Sequence, residues 1–102
     1  MSEPIRHIVM WRLRRDTADE RARARQKVKI AFEGLRGRIN GLNHIEVGLD
    51  VSDVDYACDV VLVSEFTDSA ALKAYATDPE HLRVREELGD LRIGRYQVDY
   101  LI

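Results

Sequence analysis

Two strand-like runs in this chain are apolar on both sides, and that limits the folds open to it more than any other feature. Residues 5–13 read Ile-Arg-His-Ile-Val-Met-Trp-Arg-Leu. A strand sends alternate side chains to opposite faces. Ile5, His7, Val9, Trp11 and Leu13 therefore share one face, while Ile8 and Met10, set between Arg6 and Arg12, share the other. Residues 57–66 behave alike, with Cys58, Val60, Leu62, Ser64 and Phe66 opposed to Val61 and Val63. Strands apolar on both faces need cover on both. Helices can supply one cover, and something else must supply the other.

The rest of the chain says what that something is. After a cap at Asp16 or Thr17, residues 18–36 carry Ala24, Val28, Ala31, Phe32 and Leu35 at helical spacing. The Arg21, Arg23, Arg25, Lys27 and Lys29 set reads as a solvated face of that helix. Gly37 and Gly41 bracket a turn. Residues 43–50 alternate as a strand with Ile45, Val47 and Leu49 on one face, and 50–55 are polar and turn-like. A helix from Ser69 must end before Pro79, because proline disfavours α geometry in the residue ahead of it. Asp78 can then cap a new helix with Pro79 in its first position, closed by Gly89. Residues 91–102 finish as a strand in which Tyr96, Val98, Tyr100 and Ile102 alternate with Arg95, Gln97, Asp99 and Leu101. The order β-α-β-β-α-β is the ferredoxin-like plan of the α+β class, a four-stranded antiparallel sheet with its helices on one face.

Such a sheet leaves Ile8, Met10, Val61, Val63, Tyr96, Val98 and Tyr100 on the uncovered side. Soluble monomers rarely expose an apolar patch above a few hundred Å². Covering roughly 600 Å² per subunit at about 25 cal/mol per Å² contributes on the order of 15 kcal/mol before association costs. The expectation is a homodimer, sheet packed on sheet, with two-fold symmetry.

At 102 residues the chain is expected to be one domain, 1–102. A formal charge of −2 argues against a dedicated nucleic-acid surface. An RNA-recognition motif shares the element order but needs spaced aromatics on its third strand, where this chain has Cys-Asp-Val-Val-Leu-Val-Ser-Glu-Phe. No apolar run is long enough to span a bilayer. Met1-Ser2-Glu3-Pro4 has no secretory pattern, and the single cysteine, Cys58, forms no internal disulfide and reads as a buried, inert thiol. A cytoplasmic setting is expected.

The break at Asp78-Pro79 also carries chemistry. His81 falls in the first turn of the new helix, where the positive end of the macrodipole favours a neutral ring. Tyr75 lies on the turn just before, so the kink can bring a phenol and an imidazole to one rim.

Several segments together resemble a known family. They are Arg6-His7-Ile8-Val9-Met10-Trp11-Arg12-Leu13, Gly41-Leu42, Ile45-Glu46-Val47-Gly48, Asp59-Val60-Val61-Leu62-Val63-Ser64-Glu65-Phe66, Tyr75…Asp78-Pro79-Glu80-His81-Leu82 and Val98-Asp99-Tyr100. This is the pattern of the stress-responsive A/B barrel domain, or Dabb. The resemblance covers nearly the whole chain and implies a dimeric α+β barrel. One plant member resembling this fold is a polyketide cyclase that closes a ring without metal or organic cofactor. Carried over, its pocket histidine falls on His81, its tyrosine on Tyr75, its first-strand histidine on His7 and its last-strand aspartate on Asp99.

The resulting expectation is a pocket between sheet and helices, walled by Trp11, Val9, Leu62 and Gln97, that binds a small organic molecule. A stress-associated structural dimer is the plainer form of the same reading. The enzymatic alternative is a cofactor-independent lyase or cyclase. In it His81 takes a proton, Asp99 holds the other His81 nitrogen and Tyr75 donates to a developing oxyanion. The plain counterpart is a structural His81–Asp99 hydrogen bond tying helix to sheet, with Tyr75 and Trp11 filling core. A metal held by His7, His81 and Asp99 suits imidazole and carboxylate chemistry, but no close-spaced ligand pair supports it, so no metal is expected.

Overall fold

β1 (Ile5–Leu13) runs through the interior of a four-stranded antiparallel sheet of order β2-β3-β1-β4, in which β2 is Leu42–Leu49, β3 is Val60–Phe66 and β4 is Arg92–Leu101. The structure, a computed structural model, describes residues 3–14 and 16–102. Met1 and Ser2, read above for a leader, lie outside them. Three helices, α1 (Ala18–Glu33), α2 (Ser69–Tyr75) and α3 (Pro79–Leu88), complete the ferredoxin-like arrangement. None is long and apolar enough to cross a membrane.

Strand pairing sets every side chain's face. β1 aligns His7 with Ser64 on β3 and with Asp99 on β4, and Val9 with Leu62 and Gln97. The helix-facing side therefore carries His7, Val9, Trp11 and Leu13 beside Val60, Leu62 and Phe66, with Ile45 and Val47 from β2, all buried. α1 lays Ala24, Val28 and Phe32 on this surface. The Phe32 ring stacks on Trp11 at 5.0 Å and 20°. Arg25 reaches the fully buried Asp59 at 3.1 Å, while Asp59 accepts from the Leu13 amide at 2.8 Å. One arginine of the basic run is therefore an anchor rather than a solvated charge.

Thr17, one of the two caps expected, closes the start of α1 by accepting from the Glu20 amide. The end of α1 and the start of β3 differ from the sequence reading for local reasons. The helix ends at Glu33, because the backbone beyond it tightens into bonds from Leu35 to Phe32 and from Arg36 to Glu33, and Leu35 and Ile39 turn into the core from there. β3 begins at Val60, since the Asp59 amide bonds to Trp11 O just ahead of the ladder. Cys58 accordingly sits in the preceding loop, half-buried rather than buried. At Gly41, φ is 82° and a Cβ would lie 2.6 Å from Ala71 Cβ. Both conditions demand glycine.

The helices pack on β1, β2 and β3, so the helix-facing side of β4 stays open. That gap is where a cavity forms. The opposite sheet face carries Met10, Tyr96, Val98 and Tyr100 at 42, 55, 62 and 42% exposure, with Ile8, Val61 and Val63 half-buried among them.

Candidate functional site

The site is built on the chain break between α2 and α3. Asp78 adopts an extended conformation (φ −63°, ψ 133°), as the residue before a proline must, and its carboxylate accepts from the Glu80 amide at 2.8 Å. Pro79 opens α3 without wasting a donor. The Asp78 amide bonds back to Tyr75 O, which tucks the end of α2 against the start of α3. One turn on, His81 Nδ1 lies 2.9 Å from the same Tyr75 oxygen. A carbonyl only accepts, so Nδ1 donates and the neutral ring keeps its lone pair on Nε2. The two rings stack at 4.0 Å and 16°.

Electrostatics keep that ring neutral. Burial lowers the His81 pKa from 6.5, the Tyr75 and Ala76 carbonyls oppose the shift, and Arg85 and Arg92 add to it. The direction is the one expected from the helix terminus, but desolvation is the main cause. Burial pushes the Tyr75 hydroxyl well above its ordinary value against the pull of Arg92 and Arg95. It stays a protonated donor, and its oxygen is buried with no partner among the described residues.

Tyr75 and His81 form one side of a cavity of about 170 Å³. Trp11, Phe32 and Leu62 make its apolar wall, with Leu72 and Ala76 from α2 and the turn after it. His7, Arg95, Gln97 and Asp99 make the polar side. Alternation along β4 puts the last three in one row. Arg95 Nε donates to Gln97 Oε1 at 3.1 Å, Gln97 Nε2 donates to Asp99 Oδ2 at 3.0 Å, and His7 Nδ1 meets Asp99 Oδ1 at 2.5 Å.

The structure thus brings His7, Trp11, Leu62, Tyr75, His81, Gln97 and Asp99 together around one space. Two expectations are corrected. Asp99 does not hold His81: it pairs with His7, directly across the β1–β4 ladder, while His81 is held by a backbone carbonyl. Val9 does not line the cavity, because it is fully buried in the core beneath the helices. Among the described residues no group of three or more His, Cys, Asp or Glu is placed to hold a metal ion.

Sequence reasoning missed Phe32 as a cavity wall, having assigned it to the core stripe, and passed over Arg92 altogether. The Arg92 guanidinium lies 4.9 Å from the Trp11 ring centroid and 5.6 Å from that of Phe32. An arginine at the first position of a strand, before the alternation is established, gives no periodic signal, and only its place beside two aromatics marks it.

Comparison with known proteins agrees with this architecture. A relative, an uncharacterized protein of Streptomyces coelicolor, is 34% identical over 77 residues, which is 76% of this chain and 78% of that one. A solved dimeric protein of unknown function and ferredoxin-like fold from Bacteroides fragilis is similar at a TM-score of 0.85 and 33% identity, over 97% of this chain and 96% of that chain. The hydroxynitrile lyase of Passiflora edulis is similar at a TM-score of 0.78 over 100% of this chain and 95% of that chain, and at 17% identity the likeness is one of fold. The family described as Stress responsive A/B Barrel Domain matches residues 5–102. On that match, which leaves only the first four residues outside it, the chain belongs to the stress-responsive A/B barrel domain (Dabb) family.

Proposed function

We propose that this protein is a homodimer whose subunits each bind a small organic molecule in the cavity between sheet and helices. The observation that carries the reading is the pairing, on one open-sided cavity, of a neutral His81 with a Tyr75 hydroxyl that has no hydrogen-bond partner among the described residues. A buried donor left unmade costs about 1–3 kcal/mol, and a ligand oxygen would recover it. The volume is small against the roughly 300–1,000 Å³ of drug-sized sites, which favours a ligand of about one ring. The dimeric Bacteroides fragilis neighbour and the apolar outer sheet face support assembly through Ile8, Met10, Val61, Val63, Val98 and Tyr100.

A second reading is favoured by the tautomer of His81. With Nδ1 donating to Tyr75 O, Nε2 is a base facing chemistry that needs no metal: proton removal from an activated carbon, with Tyr75 donating to the oxygen that gains charge. His7 and Asp99 would orient the ligand from the sheet side. This is the lyase or cyclase alternative, and it rests on these residues rather than on the distant hydroxynitrile lyase.

Trp11 is the sole tryptophan and walls the cavity, so its emission reports on occupancy. Titration with phenol and resorcinol is expected to give a saturable change in wild type that weakens in Tyr75→Phe. No saturable change, together with an unshifted Trp11 indole N–H resonance, would sink the binding reading.

A further inference from the structure

We propose that Arg92, with Arg95 and Arg85, forms an oxyanion-recognition site at the mouth of the cavity, so that the ligand is a small organic anion with its apolar body inside and its charge on the guanidiniums. This rests on the cavity reading above and names the chemical class it takes.

The first ground is a charge without a partner. Arg92 is half-buried against Trp11 and Phe32, yet among the described residues its guanidinium makes no hydrogen bond and no ion pair. Two aromatic faces offer some cation–π attraction, but they accept none of its five N–H donors in the way an oxygen does. Removing a cation from water without such an acceptor is costly.

The second ground is that its neighbours do not compensate it. Burial lowers the Arg92 pKa, and the charges of Arg95 and Arg85 lower it further. Arg95 turns Nε and Nη2 to the neutral amide oxygen of Gln97, a contact that leaves its charge unneutralised, and Arg85 makes no side-chain hydrogen bond or ion pair among the described residues. Elsewhere this chain pairs its arginines readily, Arg6 with Glu65 and Arg83 with Glu80 and Glu87. The protein as a whole carries a net charge of −2. A cluster of like cations held together in an acidic protein is therefore a local arrangement rather than a consequence of composition.

The third ground is position. Trp11, Arg85, Arg92 and Arg95 line a groove of about 290 Å³, and Trp11 and Arg95 are shared with the cavity of Tyr75 and His81. An anion gripped in the groove can thus continue as an apolar body into the cavity. The planar fork of arginine suits both carboxylate and phosphate bidentately. The two sources share this chemistry and differ in the anion's charge and shape.

The test uses the full chain with benzoate, phenyl phosphate and the neutral isostere benzamide as probes, followed by Trp11 emission and the arginine Nε–H resonances. Benzoate or phenyl phosphate is expected to bind about tenfold more tightly than benzamide, as a charge-assisted contact supplies. That preference should disappear in Arg92→Gln. Circular dichroism checks the fold of that variant. Arg85→Gln, an exposed change on α3, is expected to weaken the anionic probe alone and flatten its salt dependence. Which anion binds better identifies the source. Equal binding of benzamide and both anions in wild type would overturn the anion site and leave the cavity reading standing. No binding by any probe would overturn both.

Discussion

The rings of Tyr75 and His81 lie stacked across the break between α2 and α3, and the backbone carbonyl of Tyr75 accepts the hydrogen bond from His81 Nδ1. One residue thus fixes both the plane and the tautomer of the other. The imidazole is neutral because it is buried and because Arg85 and Arg92 repel a second positive charge.

The pH dependence of stability follows with a definite sign. The folded-state pKa of His81 lies below its unfolded value near 6.5, so the unfolded chain binds the proton more readily. The His81 contribution is present in full above that value and is lost as pH falls through it toward the folded pKa. Melting temperatures of wild type should drop over this interval more steeply than those of His81→Gln. Parallel curves for the two proteins would contradict the shift, as would an imidazole titrating above 6.5 by NMR.

Tyr75→Phe should not destabilise the fold. It deletes a buried hydroxyl with no partner among the described residues while keeping the ring that stacks on His81, so unfolding free energy is expected to stay level or rise by about 1 kcal/mol. Urea denaturation reads this. A loss above about 1 kcal/mol would mean that the hydroxyl is already satisfied, and the case for a ligand donor would fall.

Charge on the outer sheet face should separate the subunits. Val98 is 62% exposed beside Ile8 and between Tyr96 and Tyr100. Val98→Asp would place a carboxylate in the centre of the face assigned to the partner, where its desolvation is costly. Sedimentation at micromolar concentration should show wild type as a dimer and the variant shifted to monomer. A monomeric wild type refutes the assembly, and a variant that stays dimeric puts the interface elsewhere.

Gly41→Ala tests the junction that seats α2. The left-handed backbone and the 2.6 Å approach to Ala71 Cβ together should cost about 2–4 kcal/mol. Ala71→Gly removes the collision but not the backbone strain, so the double variant should lose less than the two single losses added. Strict additivity would show that the contact is not the cause.

Much of the fold was legible because its signals are local. Apolar alternation over Ile5–Leu13 and Val60–Phe66 assigns each side chain a face, and Asp78-Pro79 breaks one helical stretch into α2 and α3. Those inferences need only neighbours within a few residues. Boundaries failed where distant contacts intervened, as at Asp59, which is claimed by Leu13 and Arg25 before β3 can begin. Val9 had the right face and the wrong depth, since parity says nothing of which strands the helices cover.

Strand parity, helix period and proline sterics act over short spans, and from them follow the element order, the face on which each strand residue stands, and the cap that sets His81 at the start of α3. Tertiary packing alone makes Asp99 meet His7 rather than His81, leaves β4 uncovered, and lays Arg92 over Trp11 without an acceptor among the described residues. Those outcomes depend on the register of strands some ninety residues apart and on where the helix layer stops, and neither leaves a periodic trace in the chain.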